Sequence, residues 1–138
     1  MIVADTNVVS EFMKDAPDPA VMAWAQDIDP SDLTICVVTV EEIERDLGRM
    51  PEGPRRRDLE QRWTTLVDTF VEAIAIYDLP AARQTARILV AAQTSGRPMS
   101  LADAQIAGIC AAGGHQLASR NVSDFSAAPD LTIINPFQ

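Results

Sequence analysis

Apolar positions form two kinds of pattern along this chain. Short continuous runs at residues 2–4, 33–38, 73–77, 116–118 and 131–134 read as strands. The run at 33–38 is β-branched and unbroken, as a strand buried on both faces requires. Between the runs, apolar residues recur at helical spacing. Helices are expected at 8–14, from Pro17-Asp18-Pro19 through Trp24, at 39–50, at 55–71, from Pro80 to a stop at Gly96, and at 100–112. The last is apolar nearly all round and should be buried. Pro51-Glu52-Gly53-Pro54 separates two of the helices, and Gly113-Gly114 ends the last. Strands alternating with helices predict an α/β fold with a mostly parallel sheet.

The length of 138 residues suits one domain spanning 1–138. No run approaches the roughly 18 apolar residues of a membrane span. The opening Met1-Ile2-Val3-Ala4-Asp5 lacks the basic start of a signal peptide. Cys36 and Cys110 both lie in apolar runs and read as reduced core residues, which predicts a cytoplasmic protein. With a single histidine, His115, the usual zinc ligand sets are excluded. Twenty acidic residues against eleven basic ones give a net charge of −9. Such a protein repels nucleic acid at long range, so a polyanion must be met locally, by a basic patch or through bound cations. The main basic concentration is Arg55-Arg56-Arg57 with Arg45 and Arg49 upstream. It either guides RNA or is a solvated helix start pairing with Asp58 and Glu60.

Four acids occupy related places in this scheme. Asp5 follows the first strand. Glu42 lies in the first turn of the helix after the second strand, and Asp103 in the first turn of the buried helix. Asp124 follows the fourth strand within Ser119-Arg120-Asn121-Val122-Ser123-Asp124-Phe125. In an open parallel sheet, ligands gather at the carboxyl ends of strands, where helix N-termini also point. Each acid also has a purely structural explanation. Thr39 to Glu42 and Ser100 to Asp103 fit capping boxes, Asp5 can cap a helix, and Asp124 can make a local turn. Those explanations do not account for convergence at one edge. Clustered carboxylates repel unless a cation offsets them, and oxygen-only ligands suit Mg²⁺ or Mn²⁺.

The motif Ile2-Val3-Ala4-Asp5-Thr6-Asn7-Val8-Val9-Ser10-Glu11 resembles the opening of PIN-domain nucleases. More narrowly, it resembles the VapC-type toxins of bacterial toxin–antitoxin pairs, especially their FitB-like branch. Val38-Thr39-Val40-Glu41-Glu42-Ile43, the loop from Pro51 to Arg57, Gly96 to Ala107, Ser119 to Phe125 and the closing Ile134-Asn135-Pro136-Phe137 are similar to further segments of that family. The resemblance implies a three-layer α/β/α fold around a parallel sheet and Mg²⁺-dependent endoribonuclease activity. It also implies a homodimer and a cognate VapB-type antitoxin, a small DNA-binding protein. By motif position, Asp5, Glu42 and Asp103 would hold the metal, and Asp124 or Asn121 would complete the site. The chain departs from the family where Asp46 stands for a usual glycine and Ser119 for a usual threonine. Asp46 shares a helix face with Glu42, and it sustains the rival reading of a PIN-like partner-binding subunit with little or no activity.

The residues suit metal-assisted hydrolysis, in which a bound cation activates water and offsets charge on the scissile phosphate. Thr6 and Ser10 are candidates to hydrogen-bond the acids, and His115 reads as structural at a helix end. Two rivals lack a required residue. A haloacid-dehalogenase-like phosphatase needs an acid where Asn7 stands, and a phosphoacceptor receiver needs a late lysine, whereas the one lysine is Lys14. Trp24, Trp63 and Phe70 read as core or dimer contacts.

Overall fold

The structure is a computed structural model describing residues Met1–Gln138. Four strands, β1 (Ile2–Ala4), β2 (Leu33–Thr34), β3 (Gln116–Ala118) and β4 (Ile133–Ile134), form one sheet in the order β2-β1-β3-β4. Every neighbouring pair is parallel. The helices are α1 (Thr6–Phe12), α2 (Pro19–Gln26), α3 (Val37–Arg49), α4 (Pro54–Phe70), α5 (Leu79–Thr94) and α6 (Leu101–Gly113). Short 3-10 turns occupy Pro30–Asp32 and Val122–Phe125.

Alternation along the strands divides the core into two. Val3 and Leu117, paired across β1 and β3, face the layer built by α5 and α6, with Ala81, Ile88, Ala107 and Cys110. Ala4 and Ala118 face the opposite layer, where Val8, Val21, Ile43 and Trp63 come from α1, α2, α3 and α4. The result is the expected three-layer α/β/α arrangement. After β1 the chain moves outward to β2, and it later returns to the other side of β1 as β3. The crevice between the carboxyl ends of β1 and β3 is therefore the topological switch point, where α/β sheets bind ligands.

The close approach of α5 and α6 depends on Gly108. A Cβ there would stand 2.1 Å from Thr85 Oγ1 and 2.8 Å from the Ala81 carbonyl oxygen. The Thr85 hydroxyl donates to the Ala81 carbonyl within α5 at 2.8 Å and also lies 3.3 Å from the Ala104 carbonyl of α6. Gly114, at φ 68°, closes α6 in the left-handed conformation that glycine adopts without a Cβ penalty. The turn into β3 leaves the N-terminus of α6, with Ser100 as its cap, at the carboxyl edge of the sheet.

Three expected elements differ. The run at 73–77 contributes one parallel bridge, Ala75 to Cys36, in place of a full strand. Its position at the sheet margin leaves Ile76 and Tyr77 exposed, so little burial rewards further pairing. The run at 33–38 divides at Cys36, and Val37 already belongs to α3. Val37 and Val38 bury themselves against the α5–α6 core from the helix, so burial overrides their strand preference. The first helix begins at Thr6, two residues early, because Asp5 caps it.

Candidate active site

Asp5 is 5% exposed and stands where β1 becomes α1. Its amide donates to the Ala118 carbonyl at 2.8 Å, continuing the β1–β3 ladder for one residue. Oδ1 accepts from the Thr6 amide at 2.8 Å, so the helix-cap role is real. Oδ2 does something else: it accepts from Ser119 Oγ at 2.8 Å and from Asn7 Nδ2 at 3.3 Å. Burial pushes the Asp5 carboxyl above the usual carboxylate range, and the charge of Asp124 adds to this. The bonds from Ser119, Thr6 and Asn7 pull it down.

Glu42 approaches from α3, half-buried. Its Oε1 accepts from Thr6 Oγ1 at 3.0 Å. The Thr6 hydroxyl also lies 3.3 Å from that of Thr39, which is 3.8 Å from Cys36 Sγ. Thr39 is therefore inside the helix and linked to α1, and the capping-box reading of Thr39 and Glu42 fails because α3 starts at Val37. Burial raises the Glu42 pKa, and the charges of Asp5 and Asp103 raise it further, against a lowering by the Thr6 bond and by Arg45.

Asp103 enters from α6. Its amide donates to Ser100 Oγ at 3.1 Å, so that side of the capping box forms. Burial raises its pKa, followed by the charge of Asp5, with a smaller push from Asp124. Asp124 is exposed and sits in the expected local turn, its amide donating to the Asn121 carbonyl at 3.0 Å. Its charge still acts on both Asp5 and Asp103. Asn121 is exposed, and it is its amide that engages the site, donating to Ser119 Oγ at 3.1 Å.

Four carboxylates from four separate segments thus lie toward one sheet edge, and none is ion-paired to Lys or Arg. No three acids, histidines or cysteines are drawn together as a closed ligand set. The donor set is oxygen only and charge-rich, which fits Mg²⁺ or Mn²⁺.

Asn7 was the residue least visible in the sequence. Its Nδ2 reaches Asp5 and also lies 3.3 Å from Ser119 Oγ, while its Oδ1 accepts from the Arg120 amide at 3.1 Å. The available signal was its place two residues after Asp5, on the first turn of a helix pointing at the edge. Of the two hydroxyl candidates, Thr6 bonds an acid, and Ser10 lines a neighbouring groove of about 310 Å³. Asp46 lies on that groove with Lys14, Arg55 and Arg62, while the charges acting on Glu42 come from Asp5, Asp103 and Arg45. In the basic run, Arg56 pairs with Glu60 at 3.0 Å, but Asp58 pairs with Arg62. His115 is half-buried with its Nδ1 unpartnered, at the amino end of β3 and so opposite the edge that carries these acids.

Residues 2–131 match the model of the PIN domain. The chain belongs to the PIN-domain family. This PIN domain is 38% identical to VapC ribonuclease Y4jK of Sinorhizobium fredii over 139 residues, covering 100% of the chain and 99% of that protein. It is 30% identical to Toxin FitB of Neisseria gonorrhoeae, with 99% of each covered. Among solved structures, it superposes on a chain of FitAB bound to the IR36 DNA fragment with a TM-score of 0.92 and 29% identity. That match covers 100% of this chain and 96% of the other.

Proposed function

We propose that this PIN domain acts over residues 1–138 as a Mg²⁺-dependent endoribonuclease, the toxin of a type II toxin–antitoxin pair. The observation that carries this reading is the gathering of Asp5, Glu42, Asp103 and Asp124 at the switch point without a basic partner. Asp5, Asp103 and Glu42 would hold the cation, with Mn²⁺ as an alternative. A bound divalent ion supplies charge neutralisation at the scissile phosphate and a water of lowered pKa. The chain's own residues prepare the site. Ser119 and Asn7 orient one oxygen of Asp5, and Thr6 orients Glu42. Asp124 and Asn121, on the exposed turn beyond β3, would position the attacking water or the RNA.

The names of similar proteins support the same reading, since one is a VapC ribonuclease and another a toxin. The chain also resembles a chain of FitAB in its structure bound to the IR36 DNA fragment. By that likeness, the partner here is a small DNA-binding antitoxin, and a segment carrying arginine would pair with the acidic edge. By the same likeness the working protein would be a cytoplasmic homodimer; no helix is long and apolar enough to cross a membrane. Cleavage of RNA by the purified chain in Mg²⁺, its loss in a chelator and its recovery with Mn²⁺ would bear the proposal out. RNA left intact in Mg²⁺ and Mn²⁺ alike would overturn it.

A further inference from the structure

The closing segment of the chain has no role in the site described above, yet it is built with care. Pro136 is fully buried, and the Asn135 side chain accepts from the Phe137 amide at 3.0 Å. The Ile134 carbonyl, just before this turn, accepts from the Ser119 amide at 2.8 Å. The C-terminal turn is therefore tied to the same β3 end that delivers Ser119 to Asp5. What the turn presents is the ring of Phe137, and the Arg120 guanidinium lies over it, 3.9 Å from the centroid.

Arg120 is exposed, directly follows Ser119, and is the only basic residue between β3 and β4. Its amide is held by Asn7 Oδ1, the side chain whose other end reaches Asp5. Arg120 forms no ion pair, as is true of six other arginines, but among the basic residues it is the one stacked on an aromatic ring beside the Asp5 hydrogen-bond network. The buried acid on which its charge acts is Glu11, already bonded by Lys14 and by the Asp18 amide. A guanidinium stacked on an aromatic face keeps its N–H fork free at the edge, in the geometry that matches a phosphate. An acidic protein handling a polyanion needs such a local cation, because its overall field opposes the encounter.

We propose that Arg120, propped on Phe137, grips an RNA phosphate flanking the one that is cut, and that the closing Ile134-Asn135-Pro136-Phe137 turn serves as its support. This rests on the nuclease reading and adds to it a substrate-binding residue outside the carboxylate set. The guanidinium binds the strand, and the carboxylates act on the scissile bond.

The test uses the full-length protein, Mg²⁺ and a single-stranded RNA oligonucleotide that the wild type cleaves. Arg120→Ala should raise KM about tenfold with kcat within about twofold, the pattern of lost uniform binding. The slope of log affinity against log salt should shrink by about 0.7, the value for one phosphate contact on a single strand. Arg120→Lys should recover part of the salt slope, and Phe137→Leu should show a smaller rise in KM. A merely structural clamp would lower the melting temperature and leave KM and the salt slope where they were. That result in Arg120→Ala, with the wild type active, overturns this inference alone. A wild type that neither binds nor cleaves RNA overturns the nuclease reading and this inference with it.

Discussion

Ser119 and Asp5, 114 residues apart in the chain, meet through a 2.8 Å hydrogen bond from the serine hydroxyl to the buried carboxylate. Adjacent pairing of β1 and β3 makes the meeting possible, and the bond lowers the Asp5 pKa against the rise that burial imposes. Ser119→Ala would remove that donor and leave the Asn121 amide without its acceptor. The expected cost is about 1–3 kcal/mol, the range for a buried polar group losing its partner. Asp5 would become harder to ionise, so Mg²⁺ should stabilise the variant less than the wild type. Ser119→Thr keeps the hydroxyl and should behave like the wild type. Urea denaturation with and without Mg²⁺ measures both effects, and equal values for all three proteins would remove Ser119 from the site.

Asp103→Asn separates chemistry from folding. The helix keeps its Ser100 cap, since the bond is made by the residue 103 amide. Stability should change by less than about 1 kcal/mol, the scale of a charge at a helix N-terminus. RNA cleavage should fall by at least about a hundredfold if the carboxylate is a metal ligand. Gel assays of cleavage beside a thermal melt decide it. Retained cleavage would take Asp103 out of the proposed set.

The pH dependence follows from the raised carboxyls. Asp5, Glu42 and Asp103 bind protons more tightly in the native state than at their ordinary values of 3.8 for Asp and 4.5 for Glu. The native state then carries more protons than the unfolded chain between those ordinary values and the raised ones, and stability falls as pH rises through that window. In a chelator, the melting temperature should therefore climb as pH is lowered from neutrality into the window. Glu11, whose carboxyl is lowered chiefly by its bond from Lys14, opposes this only once pH drops through its ordinary value of 4.5. Mg²⁺ competes with these protons, so its stabilisation should grow with pH and shrink in Asp5→Asn. An Mg²⁺ effect identical in wild type and Asp5→Asn would leave Asp5 as a helix cap alone.

Gly108 is where the α5–α6 contact is most exposed to change. Gly108→Ala would place a methyl 2.1 Å from Thr85 Oγ1 and 2.8 Å from the Ala81 carbonyl. The overpacking cost of about 1–3 kcal/mol exceeds or matches the gain of about 1 kcal/mol from better helix propensity. Net destabilisation and weakened activity are expected, because α6 also carries Asp103. Adding Thr85→Ala should restore only part, since the carbonyl remains. Denaturant midpoints of the single and double variants supply the test, and a stabilised Gly108→Ala would contradict the packing argument.

The homodimer proposed above would not be built on the tryptophans. Trp63 is 4% exposed in the monomer, its Nε1 donating to Glu44 at 3.3 Å, and Trp24 is half-buried against the same core. Leu79 and Val90, by contrast, are 61% and 63% exposed, and they lie about three turns apart on one face of α5. Sedimentation at micromolar concentration should give about 30 kDa, twice the 15.0 kDa chain. Val90→Asp should shift it toward the monomer. A wild-type monomer would end the dimer proposal.

Strand alternation, helix punctuation and the placing of acids after strands are local signals, and they are enough to predict an α/β fold, a mostly parallel sheet and the edge toward which Asp5, Glu42, Asp103 and Asp124 lie. The motif resemblance added the family and the three layers. Local signals failed where burial arbitrates between two backbones. Val37 and Val38 suit a strand by side chain, yet they reach their core from the first turn of α3, so Thr39 is a linking residue and no cap. The run at 73–77 is apolar enough for a strand, but the sheet margin supplies one bridge and no second buried face. Asn7, Ser119, Arg120 and Phe137 come together only because β1 lies beside β3 and β3 beside β4. Hydrogen bonds and stacking contacts act over a few ångströms in space, whatever the separation in the chain, so pairings across 114 residues are created by the order of strands in the folded sheet.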